Sequence, residues 1–187
     1  MKKKDFISLK EVKLLVNACD GMHRGIMNAA FIAVAYGASL KLDDILDLRV
    51  SDYDNGFINC KGTKIKLIGG LEAKIEAWIR HRSYFNIKGC LMFCSLNKRY
   101  AGGSLNEFRH DLPKIAKKAG INKRVHSLSL RDSSILYRFL INKEDLDFLT
   151  IVGNFRDKDT LSNRIKEMIG ELKRTNCMEF NNILRKQ

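Results

Sequence analysis

"YGASLKLDDILDLRVSDYD", residues 36–54, reads as the end of one helix, a short second helix and the start of a strand. A lysine, Lys41, stands at the entrance of that second helix. Upstream, Ser8 and Glu11 have the spacing of a capping box and open an amphipathic helix in "SLKEVKLLVNAC", with Val12, Leu15 and Val16 on one face. "RGIMNAAFIAVAYG" follows as an almost wholly apolar helix that must run through the core. Downstream, "GFINCK" and "KIKLIG" alternate as strands do, which predicts a hairpin joined at Gly62 and Thr63. A glycine in first place suits a two-residue type II′ turn. "GLEAKIEAWIRHRS" is amphipathic and helical, "SLNEFRHDLPKIAKKAG" opens with another capping box and ends at a glycine, and the last 60 residues read as helices with polar turns. The expected class is mainly α with a small antiparallel β-sheet, an α+β fold.

At 187 residues, 45% of them hydrophobic, the chain can bury one core of ordinary size, so a single domain over 1–187 is the expectation. Thirty-four Lys and Arg against 21 Asp and Glu leave a charge of +13, spread along the chain, which makes nucleic acid the first partner to consider. No run reaches the roughly 18 apolar residues of a membrane span, and "MKKKDFISLKE" lacks the apolar stretch of a secretion signal; a cytoplasmic protein is expected. Cysteines 19, 60, 90, 94 and 177 form no metal-ligand pattern, because no second Cys or His pair answers "CLMFC". They read as reduced thiols, with no metal and no cofactor implied. There are no repeats, no low-complexity segment and a single proline, Pro113.

The order of helix, buried helix, "LDDILDLRVSDYD", lysine-bearing hairpin and helical C-terminal half resembles the catalytic domain of the tyrosine recombinases, the phage integrase family. The resemblance covers essentially the whole chain. It is nearest to the short recombinases that invert fimbrial promoter segments, which begin almost directly with an "ISLKEV"-like helix and carry no separate N-terminal DNA-clamping domain. Asp44, Leu48, Ser51 and Asp52 match the family's first box, but its arginine is missing and Lys41 holds that place. The resemblance implies a bacterial or mobile-element origin and DNA as partner.

In that family a tyrosine attacks a DNA phosphodiester, and two guanidinium forks hold the non-bridging oxygens as charge builds on them. A lysine meets phosphate as a point charge and cannot reproduce bidentate geometry, so binding should survive better than catalysis. The other positions carry over one at a time. Lys61, in "CKGTK", matches the hairpin lysine that protonates the leaving oxygen, with Lys64 just across the turn. The second box falls on "SLSLRDSS", where Arg131 matches the second arginine but Leu128 stands at the general-base position; His126 lies two residues too early. The third box appears as "VGN", placing Asn154 where an imidazole or indole belongs. The nucleophile position falls at about Asn163, and no tyrosine follows Tyr137. Thr160 and Ser162 are nearby hydroxyls with no evident base, and read as capping or surface residues.

Four of six catalytic places are thus changed, which leads to the expectation of a catalytically inactive DNA-binding protein, acting as a regulatory or architectural factor or as a modulator of an active relative. Lys41, Lys61, Lys64 and Arg131 would face phosphate, with Lys98 and Arg99 of "NKRYAGGS" and Lys123 and Arg124 of "INKRVHS" as further basic contacts. The helix beginning at residue 104 matches the family element that approaches the major groove, with Ser104, Asn106 and Arg109 near its start. Residues 173–187 carry an apolar stripe, Cys177, Phe180, Ile183 and Leu184, which either docks on a neighbouring subunit, as the resemblance implies, or folds back on its own domain. Two rival readings are an active recombinase with a non-standard nucleophile and a protein-interaction module derived from one.

Overall fold

The computed structural model describes residues 6–94 and 105–174. Among them run helices α1 (Leu9–Ala18), α2 (His23–Gly37) and α3 (Leu42–Asp47), a single 3₁₀ turn (Val50–Asp52), strands β1 (Tyr53–Asp54), β2 (Phe57–Cys60) and β3 (Thr63–Lys66), and helices α4 (Glu72–Tyr84), α5 (Leu105–Lys118), α6 (Ser127–Leu140), α7 (Leu146–Val152) and α8 (Lys158–Leu172). The mainly helical class with a small antiparallel sheet is the one the sequence pattern predicts.

Local chemistry sets the first elements. Ser8 and Glu11 make the capping box reciprocally, Ser8 Oγ accepting from Glu11 N (3.2 Å) and Glu11 Oε2 from Ser8 N (2.8 Å). The apolar side chains of α2 have nowhere to face but protein, and α1, α3, α4 and α6 all pack on it. Around it lies the main core, including Ile32, Tyr36, Ile45, Ile58, Ile75 and Trp78. A second cluster, with Leu136, Leu149, Leu161 and Ile165 at its centre, joins α6, α7 and α8. None of the helices is long and apolar enough to cross a membrane, among the described residues.

The sheet corrects the expected turn. Its strands run antiparallel in the order β1-β2-β3, and Cys60 pairs with Thr63, so the β2–β3 loop is Lys61–Gly62 rather than Gly62–Thr63. Both loop residues have positive φ, 51° and 78°, which is the type I′ pattern and not II′. Type I′ matches the right-handed twist of the flanking strands, and that demand places a lysine in the left-handed region. Asn55 and Gly56, also at positive φ, make the β1–β2 turn. An Asn-Gly pair is the strongest local hairpin signal, and it adds a strand pair beyond the hairpin expected.

The most deeply buried charged group among the described residues is Arg138 of α6, 1% exposed. Its Nη1 donates to both carboxylate oxygens of Glu144 (2.8 and 2.9 Å), its Nη2 to the carbonyls of Gly37 (2.6 Å) and Lys66 (2.7 Å), and its Nε to Ser39 Oγ (3.0 Å). One side chain therefore joins the end of α2, the end of β3 and the loop after α6. Burial draws the guanidinium below its ordinary pKa, and Glu144 opposes that pull. Arg138→Met takes a donor from the Lys66 carbonyl and leaves Gly37 O with Ile68 N and Glu144 with Asn142 Nδ2, without the countercharge. It should destabilise the fold by about 3–5 kcal/mol, read as a lower urea midpoint at unchanged slope.

Candidate functional site

Buried Leu42 and Ile45 anchor α3, which turns Asp44 inward until it is only 6% exposed. Both of its oxygens are used. Oδ1 lies 2.6 Å from Lys61 Nζ in the β2–β3 turn, and Oδ2 accepts from Asn154 Nδ2 at 3.2 Å. Three elements distant in sequence thus converge on one carboxylate. That hydrogen bond raises the pKa of the Lys61 ammonium, while burial pushes the neighbouring Cys60 thiol up. Beside them opens a cleft of about 350 Å³, whose walls include Asp44, Lys61, Thr150, Asn154, Phe155 and Arg156.

Asn154 ends α7. It follows the cap residue Gly153 at φ 50°, a conformation that Asn tolerates better than most side chains. Gly153 is required by packing, since a Cβ there would come within 2.5 Å of the Phe155 ring. Arg131, 8% exposed, lies against the same ring at 5.0 Å. Its Nη1 donates to Gly153 O (3.4 Å) and its Nη2 to Asp132 Oδ1 (3.2 Å), whereas its buried Nε has no hydrogen-bond partner. Asp132 also pairs with Arg164 of α8, so this group fixes α8 against α6.

The remaining candidates fall as follows. Lys41 is the N-cap residue of α3, half-buried, and its side chain makes no cap hydrogen bond. Leu128 is 43% exposed and brings no proton acceptor to the cleft. His126 is the N-cap of α6, its Nδ1 accepting from Ser129 N at 3.1 Å, which gives the ring a structural duty. Asn163 is exposed on α8; Thr160, also exposed, gives its amide to the cap residue Asp157 (2.7 Å). Lys64 is on β3, 3.4 Å from Asp54 and 4.6 Å from the centre of the Phe57 ring. Lys123 pairs with Glu11 (2.8 Å) and donates to Phe6 O (3.0 Å), tying the α5–α6 loop to the start of α1 rather than standing as a loose surface cation. Arg109 and Arg124 are exposed and line a second cleft of about 350 Å³ between α5 and the loop that follows it. Asn106 lies on α5, without a described side chain; Lys98, Arg99, Ser104 and the stripe Cys177, Phe180, Ile183 and Leu184 lie outside the described residues. Sequence reasoning missed Arg156, a cation two residues past "VGN" that lines the main cleft.

Residues 5–165 match the phage integrase family. The chain belongs to that family. Comparison with curated protein sequences gives no match. Among solved structures, the fold is similar to XerA recombinase, with a TM-score of 0.69 and 19% identity over 86% of this chain and 59% of that one. The pre-cleavage complex of XerH site-specific recombinase bound to its difH substrate gives 0.67 and 17%, over 86% and 49% of the two chains. The lambda integrase catalytic core gives 0.55 and 16%, over 80% of this chain and 94% of that core. This chain therefore spans about half to three-fifths of the two Xer chains it matches. At these identities the likeness establishes the fold: a homologue of the tyrosine recombinase catalytic domain.

The left-handed conformation of Asn154 in this integrase-family fold separates backbone from chemistry. Asn154→Gly keeps the left-handed backbone but takes the amide donor from Asp44 Oδ2, at a cost of about 1 kcal/mol. Asn154→Val loses the same donor and should cost about 1–2 kcal/mol more for the strained backbone. Urea unfolding of the two variants makes the comparison.

Proposed function

We propose that this chain binds duplex DNA through its integrase fold without cutting it, as a regulatory or architectural factor or by occupying sites used by an active relative. Its resemblance to the short fimbrial-type recombinases, with a degenerate site, belongs to the same reading. One observation carries it: the helix expected to bring the nucleophile, α8, has Asn163 at that place, and no tyrosine follows Tyr137 anywhere in the chain. An amide cannot form the phosphodiester-linked intermediate that the family's chemistry needs.

The surroundings support the reading. Leu128 offers no base, Asn154 spends its amide on Asp44, and Arg131 commits both terminal nitrogens to protein oxygens. Cations remain at Lys41, Lys61 and Arg156, within a chain of net charge +13. Phosphate neutralisation needs only positive charge within reach of the backbone, without the fixed fork geometry that stabilises a transition state. The change from arginine to lysine at position 41 therefore spares binding more than reaction.

Binding to random duplex, followed by fluorescence anisotropy over a salt series, tests the proposal. Log K should fall with log salt at roughly −0.9 per phosphate neutralised. Lys41→Gln and Arg156→Gln should each weaken all sequences about equally and flatten that slope by roughly one contact. No binding at low salt would overturn the reading.

The cleavage half has its own test. Asn163→Tyr should give no covalent adduct on a suicide DNA substrate, because groups that act as one unit are not restored by repairing a single member. Efficient strand cleavage by this single variant would instead mark a recombinase lacking only its nucleophile.

A further inference from the structure

Asp44 is the one carboxylate lining the main cleft among the described residues, and its position there calls for an explanation. A buried acid beside a phosphate-binding surface repels the ligand. Here it also engages the lysine best exposed to that ligand: Lys61, whose side chain is 63% exposed, lies 2.6 Å from Oδ1. Asn154 holds Oδ2, so the carboxylate is fixed from the far side by the turn that ends α7. Lys61 itself sits in a two-residue turn with Gly62, and its ammonium pairs with Asp44.

We propose that Asp44 is a latch on the cleft: it neutralises Lys61 and draws the β2–β3 turn down, and DNA gains that cation only when Lys61 swings off the carboxylate. The inference rests on the DNA-binding reading for its consequence, but the latch itself is a property of the free protein. The geometry favours a movable lysine over a movable acid. Asp44 is buried on a helix anchored by Leu42 and Ile45, whereas Lys61 is largely in solvent at the tip of a hairpin. An ammonium on a flexible stem, itself largely in solvent, can exchange Asp44 for phosphate, and the buried carboxylate then keeps Asn154 as its hydrogen-bond donor.

The opposite role, a positioning one, would have Asp44 hold Lys61 in place for phosphate. The two differ in sign. Asp44→Asn is nearly isosteric, keeps an oxygen for Asn154 and removes only the charge. The latch predicts several-fold tighter binding to random duplex and a salt slope steeper by roughly 0.9, the worth of one more phosphate contact. Lys61→Gln should cost several-fold more affinity in the Asp44→Asn background than in the natural one, a non-additive cycle.

A second readout needs no DNA. Hydrogen exchange at the paired residues Cys60 and Thr63 should quicken in Asp44→Asn, and equally in Lys61→Gln, an exposed change that leaves the core alone. Equal or weaker DNA binding by a folded Asp44→Asn protein would overturn the latch in favour of positioning, and unchanged exchange in both variants would overturn it whatever DNA does. If no duplex binds either the natural protein or the variants, the DNA reading fails while the exchange measurement still decides the latch.

Discussion

A guanidinium with almost no solvent contact, Arg138, sets the frame in which everything else sits. Helices and strands end with carbonyls short of partners, and here the carbonyls of Gly37 and Lys66, from the ends of α2 and β3, both take a donor from one residue of α6, Gly37 O accepting from Ile68 N as well. Ser39, at positive φ, offers its hydroxyl to the same side chain, so the chain's path out of α2 is held while it turns toward α3. Lys41 and Asp44 take their places from that path. A cation so deep is tolerable only because Glu144 supplies its countercharge bidentately and each remaining donor meets an oxygen.

The contest between catalysis and binding at the cleft turns on magnitudes. Loss of one oriented transition-state donor costs on the order of 10²-fold in rate, and loss of the nucleophile removes the covalent path outright. Backbone binding degrades far more gently, since each phosphate contact contributes a similar, salt-screened increment whichever cation makes it. On the proposed reading, the side chains at Lys41, Leu128, Asn154 and Asn163 therefore weigh far more on chemistry than on binding, for which the chain has its +13 charge.

What could be read in the sequence was local. The capping box, the apolar run of α2 and the box between residues 36 and 54 each act over a few residues, and each gives the element it predicts. The turn lies one residue before the place that Gly62 suggests, since a lysine at positive φ leaves no mark in the sequence. Long-range pairing was invisible for a different reason. Asp44 meets Asn154 across 110 residues, Arg138 meets Gly37 across 101 and Lys123 meets Glu11 across 112, and no periodicity encodes such partners. Lys123 reads as a basic loop residue for that reason.

The pattern of kept and changed positions follows burial. Arg131 is nearly enclosed, stacked on Phe155 and bonded to Gly153 O and Asp132, so removing it would unseat α7 and loosen α8 along with any phosphate site. Gly153 has no room for a side chain, and Asp44 closes two contacts from within. Leu128, Asn154 and Asn163 are exposed, and Lys41 is half-exposed. Of these, Asn154 still has a structural duty, its amide donating to the buried Asp44. Arg131 and Asp44 thus carry structural contacts of their own, whatever else they do in the cleft. For that reason the packing of α6 against α7 and α8 accounts for Arg131 by itself, and its presence is weak testimony to activity.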